Sequence, residues 1–185
     1  MDNQLLKSGM EQIIRGLGEQ SAREGLEKTP DRFAKMCEEI FAGYTESPPE
    51  LSIFSSPTND SMVVMKKIPF HSMCEHHFLP FFGEMNVAYL PQDEKVTGFS
   101  EIVQVIRYFS HRLQIQERLT TQIAEYLAEK LHPRGLLLIS SATQLCMSMR
   151  GVKTFNTRTE VIRSVGEFRD NNTLLQEAIS LLKVD

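Results

Sequence analysis

Three cysteines in 185 residues, no long apolar run and no excess of basic charge set the first bounds on this chain. Three cysteines cannot build the bridge framework that staples small secreted domains, which fits a reducing compartment. No apolar stretch approaches the length needed to cross a bilayer, so no membrane partner is expected. The opening Met1-Asp2-Asn3-Gln4 lacks the basic start and apolar core of a signal peptide, and a cytoplasmic location is expected. The formal net charge is -4, without a basic stripe interleaved with aromatics, which argues against nucleic-acid binding. An anionic small substrate would then need a local basic pocket to overcome the overall sign. No internal repeat is present.

Hydrophobic residues make up 41% of the chain and charged residues 24%. That balance suits one packed domain, or a domain with a helical extension. Leu5, Leu6, Met10, Ile13, Ile14 and Leu17 recur at helical spacing and predict an N-terminal amphipathic helix. Thr29-Pro30-Asp31 reads as a helix start, with Thr29 as cap. Phe33, Met36, Cys37, Ile40 and Phe41 form the following stripe, which places Cys37 in the core, and Gly43 ends it. The stretches 47–50 and 55–60 are loop-forming. They separate a helical region and loop over 1–60 from a core over 61–185.

The core reads strand, strand, helix, helix, strand, strand, an α+β pattern. Residues 62–70 and 84–90 are β-rich. Ser100 is expected to cap a helix carrying Ile102, Val105, Ile106, Phe109 and Leu113. A second helix is expected over 117–131, strands over 136–139 and 157–165, and a last helix over 173–182. Four strands in one antiparallel sheet, covered by helices on one face, leave open edges. Neighbouring subunits can close such edges, so a homo-oligomer is expected.

The chemistry concentrates in Ser72-Met73-Cys74-Glu75-His76-His77 and Leu145-Cys146-Met147-Ser148-Met149-Arg150-Gly151. Cys74, His77 and the distant Cys146 offer three metal ligands and no obvious fourth. Zinc closed by four protein ligands is usually structural, whereas three leave a position for water. Such a water loses its proton near neutral pH and becomes a nucleophile. A zinc finger would need a second close pair, and Cys37 has no partner nearby in sequence. Competing uses of these residues are a small buried hydrophobe and a papain-like Cys/His nucleophile. The closeness of Cys74 and His77 in sequence speaks against the latter.

On these motifs the chain resembles the GTP cyclohydrolase I family. The matching stretches are Thr29-Pro30-Asp31-Arg32-Phe33, Ser72 to His77, Pro80-Phe81-Phe82-Gly83, Gln114-Ile115-Gln116-Glu117-Arg118-Leu119-Thr120, and Cys146-Met147-Ser148-Met149-Arg150-Gly151. The resemblance implies the tunnelling fold. Its ββααββ core joins others into a barrel, commonly a decamer of two stacked pentamers with sites at subunit interfaces. It implies Zn2+ on Cys74, His77 and Cys146, with His76 as the proton-transfer residue. The reaction it implies opens the imidazole ring of GTP at C8, releases formate and closes to dihydroneopterin triphosphate. Glu117 would read the guanine edge, one carboxylate accepting from N1-H and the 2-amino group together, and Gln116 would also stand at the base.

Three departures from the family pattern stand out. Gln144 stands where the family has a second proton-transfer histidine, and an amide cannot exchange a proton near pH 7. Glu101 and Gln104 replace a lysine and an arginine that contact the triphosphate, and a carboxylate beside a phosphate is repulsive. Arg107 stands where an acidic residue is common, one helical turn beyond Gln104, and its charge partly substitutes. Ser100, Arg107, Arg150 and Lys153 remain as phosphate contacts. His71 and His111 replace an aromatic and a basic residue and are expected at the surface. The departures open further readings: a purine-ring hydrolase for a less phosphorylated nucleotide or nucleoside, one that stops at the ring-opened formamide, or a zinc-binding homologue without turnover.

Overall fold

A computed structural model describes residues 1–57 and 61–183 of the chain, Lys183 by its backbone alone. Thr58, Asn59 and Asp60 of the expected loop, and the last two residues of the core range, lie outside the described residues. Helix α1 (Asn3–Gly16) begins where the Asp2 carboxylate accepts from the Leu5 amide at 3.0 Å. Helix α2 (Thr29–Ile40) starts one residue earlier than expected, with Lys28 at the cap. Thr29 is already wound in, because its amide donates to Leu26 O at 2.9 Å. Asp31 then pairs with Lys7 at 2.6 Å and ties the two helices together. Cys37 is buried, as its stripe requires.

Strand β1 (Ile53–Ser55) pairs with β4 (Lys95–Thr97) in a small separate ribbon. The main sheet contains β2 (Val63–Cys74), β3 (Pro80–Leu90), β6 (Gly135–Gln144) and β7 (Thr159–Gly166), all antiparallel, with the two-residue β5 (Leu113–Gln114) parallel to the end of β2. Helices α3 (Phe99–Ser110) and α4 (Gln116–Leu131) lie between the two strand pairs in sequence, so the expected ββααββ order is present. They pack on one face over Phe81, Met85, Leu136 and Leu138. Each such side chain, once fully buried, contributes about 1.5–3 kcal/mol.

The other face is also covered, contrary to the expectation of a single helical layer. Helices α6 (Glu167–Asp170) and α7 (Asn172–Lys183) bring Phe168, Ala178 and Leu182 against Ala88, Leu90, Leu137 and Ile139. This is why Leu136 to Ile139 is apolar without alternation: successive side chains enter different cores. The strand runs on to Gln144 because its polar second half continues the same ladder.

A bulge in β2 decides which side chains face α3 and α4. The pairing shifts between Met65↔Val87 and Ile68↔Met85, with Lys67 at φ 55° and its amide donating to Asn86 Oδ1 at 2.8 Å. The extra residue switches the inward set from odd to even positions. Val63 and Met65 face that core before it, and Ile68, Phe70 and Cys74 after it.

Two local expectations change at α3. Gly98, not Ser100, occupies the cap, and Ser100 is exposed inside the first turn. Glu101 reaches back to the Gly98 backbone, as a capping-box glutamate does. It also accepts from the Thr97 hydroxyl and, at 2.9 Å, from the Ser52 amide. At the other end His111, expected at the surface, is only 7% exposed. The chain turns inward there, with the Gly43 amide donating to His111 O at 3.1 Å.

Candidate metal centre and its cavity

Cys74 ends β2, His77 sits in the turn before β3, and Cys146 lies in the one-turn helix α5 (Leu145–Ser148) that follows β6. Strands β2, β3 and β6 are neighbours, so the distant cysteine arrives through the sheet. The turn is held by the Phe78 amide donating to Cys74 O at 2.9 Å, with Phe78 at φ 51°. The ligand atoms of Cys74, His77 and Cys146 lie within 4.8 Å of one another, the one such group of three among the described residues. Cys74 Sγ stands 3.9 Å from His77 Nδ1. Tetrahedral zinc, with Zn–S near 2.3 Å and Zn–N near 2.0 Å, spaces its ligand atoms roughly 3.5–3.9 Å apart. The donor set therefore fits zinc after about 1 Å of closure, and three ligands leave a position open.

Burial pushes the Cys146 thiol above its usual range, and the neighbouring Cys74 thiol adds to this, while Arg150 acts the other way. A cation bound between the thiols would replace their protons. Arg150 Nη1 lies 2.6 Å from His77 Nε2, on the side of the ring away from Cys74. Glu75, between the ligands, is gripped by Arg118 of α4 through two bonds of 2.6 and 2.9 Å. That pairing holds the Glu75 carboxylate below its ordinary pKa. It links the ligand turn to the helix that begins with Gln116 and Glu117.

A cavity of about 450 Å3 opens on this centre, lined by Cys74, His76, Gln116, Glu117, Gln144 and Cys146, together with Phe81, Gln114, Met147 and Thr159 to Val161. His76 is exposed, with Nε2 3.8 Å from Glu75. Glu117 is exposed at the start of α4. Gln116 is only 3% exposed, and its amide is fully engaged. Nε2 donates to Ser140 O, Ser140 Oγ and Thr159 O at 3.0–3.1 Å. Oε1 accepts from Gln144 Nε2 at 2.8 Å and Thr159 Oγ1 at 2.5 Å. Thr159 carried no local signal in the sequence; it enters because β7 pairs with β6 at Ala142.

Ser100 and Arg107 do not line this cavity. Arg107 lines two other hollows beside α3. Arg150 meets the centre at His77, and its charge also reaches Cys146.

Fold and site together define an α+β protein with an open, three-ligand candidate metal centre at one end of a ββααββ sheet. The family model for GTP cyclohydrolase I matches residues 6–183. The chain is 43% identical over 183 residues to GTP cyclohydrolase 1 of Carboxydothermus hydrogenoformans, covering 98% of this chain and 95% of the relative. It is 43% identical to that of Pelotomaculum thermopropionicum, covering 98% and 97%, and 40% identical to that of Clostridium kluyveri, covering both chains in full. This chain belongs to the GTP cyclohydrolase I family, whose members are hydrolases, and its core is the family's tunnelling fold.

Proposed function

We propose that the protein opens the imidazole ring of GTP at C8 by hydrolysis, yielding formate and 7,8-dihydroneopterin triphosphate. The observation that carries this reading is the gathering of Cys74, His77 and Cys146 within 4.8 Å beside a cavity that also presents His76 and Glu117. Zinc on those three ligands would supply a Lewis acid that makes water nucleophilic near neutral pH.

The remaining work falls to side chains. Glu117 orients the base by accepting from N1-H and the 2-amino group, a charge-assisted pair that strengthens as water is excluded. His76 exchanges protons with the ring nitrogen, a task suited to imidazole near neutral pH. Gln116 has no free hydrogen-bonding capacity in its amide and acts by positioning Gln144. Ser100, Arg107 and Arg150 serve the phosphates. Ser100 and Arg107 stand off their own chain's cavity, which supports a site completed by a neighbouring subunit in a cytoplasmic homo-oligomer, with a decamer as the family expectation.

Gln144 favours a second reading. Its amide is committed to Gln116 and cannot carry a proton near pH 7, and Glu101 is bound to its own chain rather than replaced by a cation. A substrate with fewer phosphates, or arrest at the ring-opened formamide, follows from those changes. Zinc-loaded protein incubated with GTP, GMP and guanosine separates the readings. Pterin absorbance with stoichiometric formate from GTP supports the first. Ring opening without pterin, or turnover only of GMP or guanosine, supports the second. No turnover of any of the three overturns both and leaves a binding role.

A further inference from the structure

A second cavity, of about 420 Å3, lies beside α3 and β2 and shares no lining residue with the first. Glu39, His71, Arg107 and His111 all line it. The His71 and His111 ring centroids are 4.9 Å apart, with planes inclined by 38°. The Nδ1 atom of His111 is buried and has no hydrogen-bond partner. In the tautomer protonated on Nε2, Nδ1 carries a free lone pair for an ion. Two imidazoles bound to one ion at about 2.0–2.1 Å have ring centres roughly 4.5–5.2 Å apart, a range that includes the observed spacing.

We propose that His71 and His111 form a second metal site, for a divalent transition ion of the imidazole-preferring kind such as Ni2+ or Cu2+. Water fills the positions left by two protein ligands. The charges facing the rings are mixed: Glu39 and Glu46 attract a cation and Arg107 repels it. Burial lowers the pKa of His111 and keeps its ring neutral and able to ligate at pH 7. Neither histidine lines the cavity assigned to the proposed reaction, whereas Arg107, assigned above to its phosphates, lines this one.

The test is Ni2+ titration of zinc-saturated full-length protein, followed by gel filtration and metal analysis for both ions. One retained nickel per chain, with zinc still bound, is expected. His71→Ala removes a ligand from an exposed position and is expected to weaken nickel binding at least 10-fold without changing zinc content. Cys146→Ser is expected to leave nickel binding intact. Absence of nickel retention, or nickel binding that survives His71→Ala or vanishes in Cys146→Ser, would overturn the proposal.

Discussion

Gln144 donates its side-chain amide to Gln116 Oε1 at 2.8 Å, while Gln116 spends its own amide on Ser140 and Thr159. Gln144 is thereby held by a buried residue that is itself held by two strands. An imidazole in its place can donate to the same oxygen and still present a titratable nitrogen. Gln144→His is therefore expected to keep the network and add an ionisation between about pH 6 and 7 to the kcat/KM profile for GTP. A superimposable profile for the two proteins would show that position 144 exchanges no proton.

Gln116→Leu removes the amide and strands the Gln144 donor and the Ser140 and Thr159 acceptors. Unpartnered buried groups cost about 1–3 kcal/mol each, so a net loss of roughly 2–4 kcal/mol is expected after partial solvation of Gln144. For a chain of this size that corresponds to a Tm lower by about 5–12 °C. Calorimetry checks it, and a drop under 2 °C would remove Gln116 from the structural network.

Cys146→Ser leaves Cys74 and His77 as an incomplete set. Loss of a direct ligand weakens metal more than the roughly 10–100-fold that follows loss of an outer partner. Zinc content after dialysis against a mild chelator is expected to fall to less than about a tenth of the parent's, with release of formate from GTP lost in parallel. Retention of full zinc content would place the metal elsewhere.

Gly83 faces β6 so closely that a Cβ would stand 1.9 Å from Ser141 O and 2.8 Å from Ala142 Cα. Both obstacles are backbone, so no rotamer relieves them. Gly83→Ala is expected to destabilise by at least about 3 kcal/mol, beyond ordinary overpacking, and to disturb the β2–β3 end that carries Cys74. Urea unfolding of the variant measures this, and a midpoint equal to the parent's would contradict the packing.

His111 has a pKa below its ordinary value, through burial first and then through His71 and Arg107, with Glu46 and the Glu39 backbone acting against them. The unfolded chain then binds more protons than the folded one between the lowered value and about 6.5. Stability consequently rises with pH across that window and is lost as pH falls through it. Tm is expected to decrease from pH 7.5 to pH 5.5, and the slope to flatten in His111→Gln. An identical slope in the variant would assign the pH dependence to other groups. The carboxylate of Glu75, held low by Arg118, acts at lower pH: its contribution is present above about 4.5 and is lost as pH falls below that.

Much of the fold was legible because apolar spacing reports directly on burial. Ile123, Leu127 and Leu131 share one face of α4, and all three are buried. The errors have local causes. Ser100 is a good capping residue, but Glu101, held by Thr97 and Ser52, sets the cap of α3 two residues earlier, at Gly98. Leu136 to Ile139 was expected as a short strand under a single helical layer. Its unbroken apolar run was the trace of α7 on the opposite face, a partner about forty residues away that no local pattern names. His111 was expected at the surface because nothing in a polar residue after Phe109 announces that the chain turns beneath α2.

By itself the sequence determined the donor chemistry: two thiols and an imidazole, with Cys74 and His77 spaced to share one turn, and the carboxylate of Glu117 at the start of a helix. Side-chain identity and short spacing suffice for that. The tertiary structure decided the rest. The bulge at Lys67 turned Cys74 inward, and the β2–β3–β6 order brought Cys146 to it. Packing of α4 against β6 and β7 joined Gln144, Gln116 and Thr159. The approach of β2 to the end of α3 placed His71 against His111. Those contacts depend on strand register and on which face each side chain takes, and both are set by distant partners rather than by neighbours in the chain.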